Sequence, residues 1–212
     1  FNDFMTTNLY NSFQYVDIYR KILNLNSPVD EKVRAEQIAI DGMASMGISI
    51  PERKYFVLKP MSSEKNKNWG TANFIELGRK LVAEKNLFCI VVGAPCEKII
   101  LDEISTAIGA SAISGIYDFN EIAHVLKNAE FIIGVDTGIM HLASALGVKT
   151  VTITLGSGAY LKTSPYGSGN VILYPSSKCF PCKINSKCNF DNICKNQISP
   201  DDVLNTLSGE VL

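Results

Sequence analysis

The stretch from Gly134 to Ala143, GVDTGIMHLA, holds the residues whose types and spacing best suit chemistry. Thr137 and Gly138 come directly after an apolar run and open a helical pattern, so their unpaired backbone N–H groups and the helix dipole would form an anion site. Asp136 would repel a phosphate, and its carboxylate therefore suits holding the loop or accepting a hydrogen bond from a sugar or ribose hydroxyl. His141, one turn into the helix, is either a hydrogen-bonded structural residue or a ligand contact.

A second polar segment, KPMSSEKNKNWG, begins with the last residue of another apolar run, at residues 59–70. The hydroxyls of Ser62 and Ser63 could donate hydrogen bonds to a phosphate, and Lys67 could add a positive charge. The alternative interpretation is a solvated polar loop. We expect Trp69, the one tryptophan of the chain, to fill the base of the loop rather than to stack on a ligand.

A carboxylate, Glu97, opens the helical pattern that follows the apolar run ending at Gly93. Folds that alternate strands and helices bind a ribose diol through a carboxylate in this kind of position. The alternative is that Glu97 complements the positive end of the helix. Cys96 lies in the same loop, but nothing near it in the sequence would serve as the base of a nucleophile.

Four of the six cysteines, Cys179, Cys182, Cys188 and Cys194, lie within sixteen residues. Four thiolates at short spacing could hold a structural zinc ion in a tetrahedral site. The cluster lacks the two Cys-x-x-Cys pairs of a zinc ribbon, so two disulfides or four free thiols remain alternatives. Cys89 lies inside an apolar run and is expected in the core.

The elements that position these residues alternate regularly from Tyr55 onward. Continuous apolar runs are typical of strands buried on both faces, and apolar residues at i, i+3 and i+4 indicate amphipathic helices. Strands are predicted at Tyr55–Lys59, Leu87–Val92, Phe131–Val135, Thr150–Leu155 and Val171–Tyr174. Helices are predicted around 74–81 with Thr71 as N-cap, at 100–108 ending at Gly109, at 119–126 after a capping box of Asp118 and Glu121, and at 139–146.

This alternation predicts an α/β fold, a Rossmann-like doubly wound parallel sheet that binds ligands at the carboxyl ends of its strands. We assign residues 51–176 to this domain and 177–212 to a Cys-rich loop with a C-terminal helix. Residues 1–50 show helical spacing with little to pack against. They are interpreted as a helical connector and the remnant of an N-terminal domain missing from this chain, which begins with Phe1.

Composition and motifs exclude several functional classes. Twenty Lys and Arg against 21 Asp and Glu give a net charge of -1, which argues against a nucleic-acid-coating protein. No apolar run is long enough to span a membrane, and no export signal opens the sequence. The Gly-rich fingerprints of nicotinamide dinucleotide sites and of P-loop NTPases are missing, as is the G-x-S-x-G elbow of hydrolases.

Three motifs together resemble those of the bacterial ADP-heptose:lipopolysaccharide heptosyltransferases, glycosyltransferase family 9. They are K-x-W at 67–69, S-G-x-x-D-F-x-E-I-A at 114–123 and V-D-T-G-x-x-H-L-A-S-A-L-G-V at 135–148. The resemblance covers residues 55–205, which correspond to the C-terminal half of a two-domain GT-B fold. The chain departs from the family pattern at Lys59-Pro60-Met61 and at Gly70, where the family usually has a His-Pro-Gly-like loop and a proline.

The resemblance implies a role for each candidate residue. Ser62, Ser63 and Lys67 would contact the donor diphosphate, Glu97 the ribose, Asp136 the transferred sugar, and Thr137 with Gly138 a phosphate. His141 matches the motif without an assigned role. Lys67 would also stabilise the leaving group, whereas the general base and the acceptor site would lie in the missing N-terminal half.

The implied function is transfer of a heptose from ADP-heptose to a lipopolysaccharide inner-core acceptor, with no metal cofactor required for transfer. We expect the chain to be the donor-binding half and inactive alone. We expect it to be cytoplasmic, either free or peripheral at the inner membrane. The alternatives are a sugar-nucleotide epimerase of GT-B architecture and a non-enzymatic, metal-stabilised interaction module.

Overall fold

The computed structural model describes residues 50, 52–114, 119–167, 169–184 and 186–208. The predicted connector at 1–50, apart from its last residue, lies outside these ranges. Asp118 of the predicted capping box also lies outside them. The division of the chain at 51, 176 and 177 therefore stays a prediction.

Six parallel strands form one sheet in the order β3-β2-β1-β4-β5-β6. From β1, the chain first adds β2 and β3 on one side of the sheet and then returns to add β4, β5 and β6 on the other side. This change of direction at β1 and β4 is the arrangement of a Rossmann-like doubly wound sheet. The predicted fold class is confirmed. The strands are β1 (Tyr55–Lys59), β2 (Phe88–Gly93), β3 (Ser111–Ser114), β4 (Phe131–Val135), β5 (Lys149–Ile153) and β6 (Asn170–Leu173).

Helices cover both faces of the sheet. The helices of the described residues are α1 (Thr71–Lys85), α2 (Lys98–Ile108), α3 (Phe119–Lys127), α4 (Gly138–Ala145), α5 (Tyr160–Thr163) and α6 (Pro200–Leu207). The buried side chains of α1, α2 and α6 join one apolar cluster. Those of α3 and α4 join a second cluster. Alternate residues of β1 reach opposite clusters, which explains why the strands are apolar throughout rather than at every second residue.

Three details differ from the sequence-based expectation, and one of them is the short helix α5, which was not predicted. Thr71 is the first helical residue of α1 and not its N-cap, because Gly70 precedes it with φ of 116°, a backbone conformation that favours glycine. The strand β3 was not predicted, because its sequence SAIS contains one buried apolar residue, Ile113, and lies at the sheet edge.

The C-terminal segment shares the core of the sheet. Trp69 is 1% exposed, packs edge-on against Phe74, and donates its indole N–H to the carbonyl of Ile198 at 2.8 Å. Cys194 and Ile198 lie in the same apolar cluster as α1. Trp69 therefore joins the loop after β1 to the end of the Cys-rich segment, in the plugging role predicted for it.

Replacing Trp69 by alanine should destabilise the fold by about 3–5 kcal/mol, because the change leaves a cavity at a fully buried aromatic site. Urea unfolding followed by circular dichroism measures this difference. Ile99→Ala is the control, since Ile99 is 84% exposed and its truncation should cost less than about 0.5 kcal/mol. Equal effects of the two substitutions would contradict the packing described for Trp69.

Candidate functional site at the carboxyl edge of the sheet

The loops after β1 and β4 lie side by side where the strand order reverses. Lys59, the last residue of β1, is in register with Gly134 of β4, so the chain leaves the sheet at neighbouring points. A Cβ on Gly134 would lie 2.8 Å from the carbonyl oxygen of Lys59, and only glycine permits this close approach. This crevice is where doubly wound sheets bind their ligands.

An ion pair crosses the crevice. Lys67 Nζ lies 2.8 Å from Asp136 Oδ2, and both side chains are largely withdrawn from solvent. Burial by itself would raise the pKa of Asp136, but the interactions with His141 and Lys67 outweigh it and hold that pKa below its usual value. Asp136 is therefore a carboxylate at neutral pH, and it neutralises Lys67.

The helix α4 begins beside this pair. His141 Nε2 lies 3.8 Å from Asp136 Oδ1, on a side chain that is 44% exposed. Thr137 is the N-cap of α4 and makes no side-chain capping hydrogen bond. Its Oγ1 is enclosed and has no partner among the described residues. Gly138 is exposed, with open space where a side chain would stand. The first turn of α4 therefore presents backbone N–H groups with no bulky side chain in front of them.

The loop after β1 is folded by its own polar groups. Ser62 donates its backbone N–H to Asn68 Oδ1 at 2.7 Å, and its hydroxyl accepts the N–H of Glu64 at 3.2 Å. Ser63 is exposed. The solvated-loop interpretation is therefore too simple, because this loop has a defined conformation that places Lys67 against Asp136.

Glu97 belongs to a second ion pair in the same edge of the sheet. Its Oε2 lies 2.8 Å from Lys59 Nζ and accepts the backbone N–H of Ala94 at 2.8 Å. Both side chains of the pair are mostly buried. A Cβ on Gly93 would overlap this carboxylate, so the glycine leaves the space that Glu97 occupies. Glu97 thus does more than complement the helix terminus.

The structure therefore brings Lys67, Asp136 and His141 together, with Thr137 and Gly138 beside them and Glu97 in the neighbouring pair. Lys59 was missed as a site residue, because it ends an otherwise apolar strand; its charge at that position was the available signal. Each lysine of the two pairs is neutralised by one carboxylate. An anion entering the crevice could replace a carboxylate as partner of a lysine and free that carboxylate for a hydroxyl group.

The four clustered cysteines interact electrostatically. Burial, followed by the charges of the other thiols, raises the pKa of Cys182 and of Cys194. Cys188 Sγ accepts the backbone N–H of Phe190 at 3.4 Å and of Asn192 at 3.3 Å. All four are free thiols. In the ranges that the structure describes, no three His, Cys, Asp or Glu side chains are arranged to hold a metal ion. The thiols are near enough to influence one another's pKa, but they do not surround a common point where a metal ion could bind.

The Cys-rich segment is fixed to the loops that form the crevice. Cys182 donates its backbone N–H to the carbonyl of Gly156 at 2.7 Å, and Asn66 Nδ2 donates to the carbonyl of Ser186 at 2.5 Å. Ser157 donates its hydroxyl to Glu64 Oε2 at 2.7 Å. These long-range contacts had no signal in the sequence.

A membrane-crossing helix would need a long apolar stretch. Among the helices of the described residues, none has the length and apolar character for this.

The fold and the site define a Rossmann-like domain with a polar, charge-paired crevice at the switch point of its sheet. A family model described as glycosyltransferase family 9 (heptosyltransferase) matches residues 7–193. The chain belongs to this family. The comparison with curated proteins found no match.

Solved structures with the same fold include three heptosyltransferases of E. coli. WaaC with ADP-2-deoxy-2-fluoro heptose is 20% identical with a TM-score of 0.60, over 82% of this chain and 48% of its own. ADP-heptose lps heptosyltransferase II is 17% identical with a TM-score of 0.61, and the match covers 87% of this chain and 52% of that enzyme. The dodecameric iron-containing TibC of enterotoxigenic E. coli is 16% identical with a TM-score of 0.58, and the match covers 76% of this chain and 47% of TibC.

The chain thus spans about half the length of these structures. Their likeness confirms the prediction that the domain is one half of a GT-B glycosyltransferase fold. At these identities the likeness concerns the fold and does not assign the residues of the site.

The lowered pKa of Asp136 predicts a pH-dependent contribution to stability. Ionised Asp136 stabilises the folded state at pH values above its unfolded pKa of about 3.9, and this contribution is lost as the pH falls through the lower folded pKa. Asp136→Asn should therefore reduce the free energy of unfolding by about 2 kcal/mol at pH 7. The difference from wild type should stay constant down to about pH 5 and shrink at lower pH.

Chemical unfolding of both proteins at a series of pH values, within the range where both are folded, measures this difference. Glu103→Gln removes an exposed carboxylate from α2 and should change the unfolding free energy by less than about 0.5 kcal/mol at pH 7. A difference for Asp136→Asn that grows as the pH falls would show that the ionised carboxylate does not stabilise the fold.

Proposed function

We propose that this chain is the donor-binding half of a glycosyltransferase that transfers a heptose from ADP-heptose to a lipopolysaccharide inner-core acceptor. The observation that carries the proposal is the Lys67–Asp136 pair at the switch point, in a chain of the heptosyltransferase family. Two of the structurally similar enzymes were determined with ADP-heptose or its fluorinated analogue bound. The acceptor and the donor base rest on the family alone.

In the proposed complex, the donor diphosphate lies between the loop after β1 and the start of α4. Ser62, Ser63 and Lys67 contact it from one side, and the backbone N–H groups of Thr137 and Gly138 from the other. The diphosphate takes the place of Asp136 beside Lys67, and the freed carboxylate accepts hydrogen bonds from hydroxyls of the transferred sugar. This exchange keeps the buried ammonium group neutralised at every stage.

Glu97 accepts hydrogen bonds from the ribose hydroxyls in the same proposal. Its present partners, Lys59 Nζ and the N–H of Ala94, both contact Oε2, so Oε1 is the oxygen that can face a diol. Lys59 fixes the carboxylate in its orientation. His141, exposed beside Asp136, lies at the mouth of the sugar site without an assigned role.

The chemistry is an inverting displacement, in which an acceptor hydroxyl attacks the anomeric carbon and ADP leaves. Negative charge grows on the leaving diphosphate, and Lys67 with the N-terminus of α4 stabilises that charge without a metal cofactor. A general base outside this half removes the proton of the acceptor hydroxyl. The chain alone is therefore expected to bind the donor and not to catalyse transfer, and its place is the cytoplasmic side of the inner membrane, where the proposed acceptor is built.

Calorimetric titration of the chain with ADP and with UDP tests the donor site. ADP should bind and UDP should bind weakly. Lys67→Ala should weaken ADP binding by about tenfold or more, because it removes a charge-assisted contact and leaves Asp136 facing the diphosphate. Lys54→Ala is the matched control, since Lys54 forms an exposed ion pair with Glu130 at the opposite edge of the sheet.

Unchanged ADP affinity in Lys67→Ala would reject the proposed site. The double variant Lys67→Ala/Asp136→Asn separates two explanations of a loss. Full recovery of binding in the double variant would mean that Lys67 acts only by neutralising Asp136. Absence of nucleotide binding in the wild-type chain would favour the non-enzymatic interaction module.

We also propose that Cys179, Cys182, Cys188 and Cys194 bind a structural metal ion. The donor set fits zinc or iron, since both accept four thiolates. Burial and then the charges of the other thiols raise the pKa of Cys182 and Cys194, which supports the proposal because thiolates that repel one another attract a cation. A bound cation would relieve this repulsion. The N–H groups directed at Cys188 Sγ suit a thiolate. One structural neighbour is itself iron-containing.

The chain purified without added metal should carry about one zinc or iron ion, measured by plasma mass spectrometry. Cys188→Ser/Cys194→Ser should lose the metal and unfold at a lower temperature. Cys96→Ser, which changes an exposed cysteine outside the cluster, should keep it. Equal metal content in all three proteins would show that the cluster is not the site.

A further inference from the structure

A cavity of about 610 Å³, open to solvent, lies between the loop after β1 and the Cys-rich segment. One wall is formed by Ser63, Glu64 and Lys65, and the other includes Lys187 and Lys195. The two walls are held together by the hydrogen bond from Asn66 to Ser186. Lys67, Asp136 and the start of α4 do not line this cavity. The cavity therefore adjoins the donor crevice and shares with it only the loop after β1, including Ser63.

The charges around the cavity are unbalanced. Its lining carries three ammonium groups and one carboxylate, Glu64, which Ser157 already holds. Among the described residues, no carboxylate oxygen lies within 4 Å of the ammonium groups of Lys65, Lys187 or Lys195, which form no ion pair. In the donor crevice, by contrast, Lys59 and Lys67 each have a carboxylate at 2.8 Å. Three unneutralised lysines facing one space repel each other and attract an anion.

Besides these charged groups, the lining includes the thiol of Cys188, one of the four clustered cysteines. The hydroxyls and amides of the other lining residues suit a polyhydroxylated ligand, and these residues are Ser63, Asn66, Ser186 and Asn192. A sugar that carries a carboxylate or a phosphate matches both the charge and the hydrogen-bonding groups of the cavity. The donor carries no further anionic group that could occupy this cavity, because in the proposed function its diphosphate is bound by Lys67 and the start of α4.

We propose that this cavity binds an anionic group of the acceptor saccharide, so that the donor half also contributes to acceptor recognition. The inference rests on the proposed function, since a transferase needs a second substrate beside the donor. Ser63 and Lys67 belong to one loop, which places an acceptor held by Lys65, Lys187 and Lys195 next to the donor diphosphate. The recognised chemistry is a carboxylate or phosphate on a sugar.

Binding to the 212-residue chain tests the inference, in the presence of saturating ADP. Glucose 6-phosphate and glucuronate are the two probes, and glucose is the neutral reference. At least one anionic sugar should bind while ADP is bound, and glucose should bind more weakly. A preference for glucuronate or for glucose 6-phosphate identifies the anion as carboxylate or phosphate.

Lys187→Ala/Lys195→Ala should weaken the sugar anion by about tenfold or more and leave ADP affinity unchanged. Lys178→Ala/Lys183→Ala is the matched control, because both lysines are exposed, belong to the same segment and do not line the cavity. The control should bind the sugar anion as the wild-type chain does. Circular dichroism of both variants verifies that they are folded.

Three results would overturn the inference while ADP binding stands. They are no binding of either anionic sugar, equal weakening by the two double variants, and competition between the sugar anion and ADP, which would place the anion in the donor site. ADP affinity is measured first, without sugar. Failure of ADP to bind would reject the proposed function, and with it the assignment of the anion to an acceptor.

Discussion

The ion pair between Lys67 and Asp136 depends on the strand order, and much of the site depends on the pair. The two residues are 69 positions apart in sequence, and they meet because β1 and β4 are neighbours in the sheet. Removing either partner would leave a largely buried charge uncompensated, which is costly. The pair therefore fixes the conformation of the loop after β1. It also keeps both charges where a diphosphate or a sugar hydroxyl could replace one partner.

The second pair, Lys59 with Glu97, is another largely buried charge pair at the same edge of the sheet. Lys59 is almost fully buried at the end of β1, where an ammonium group without a partner would destabilise the fold. Glu97 satisfies it and also binds the backbone of its own loop. Two neutralised pairs give a crevice that is polar and ordered before any ligand enters. Such preorganisation reduces the cost of ordering side chains on binding.

The fold was largely predictable because its strands are buried on both faces, and continuous apolar runs such as FIIGV record that burial directly. The strand β3 was not predictable, because an edge strand with one buried residue contains no apolar run that would indicate it. The candidate residues could be found because they follow strands. Their pairings could not, because the partners of Lys67 and of Glu97 are set by tertiary packing and not by spacing. The helix α1 begins at Thr71 because Gly70 before it adopts a positive φ. This is a backbone property that no side chain in the sequence signals.

The Cys-rich segment has little regular structure, yet it contacts the loops that form both sites. The carbonyl of Ser186 and the N–H of Cys182 bond to Asn66 and Gly156 in the loops after β1 and β5, and Trp69 anchors its end. Few of its side chains are buried, so apolar packing alone holds it weakly. A cross-link among its four thiols would supply the missing constraint. Because this segment forms one wall of the lysine-lined cavity and contacts the loop that carries Lys67, fixing it would order the charge-paired crevice and the neighbouring cavity together.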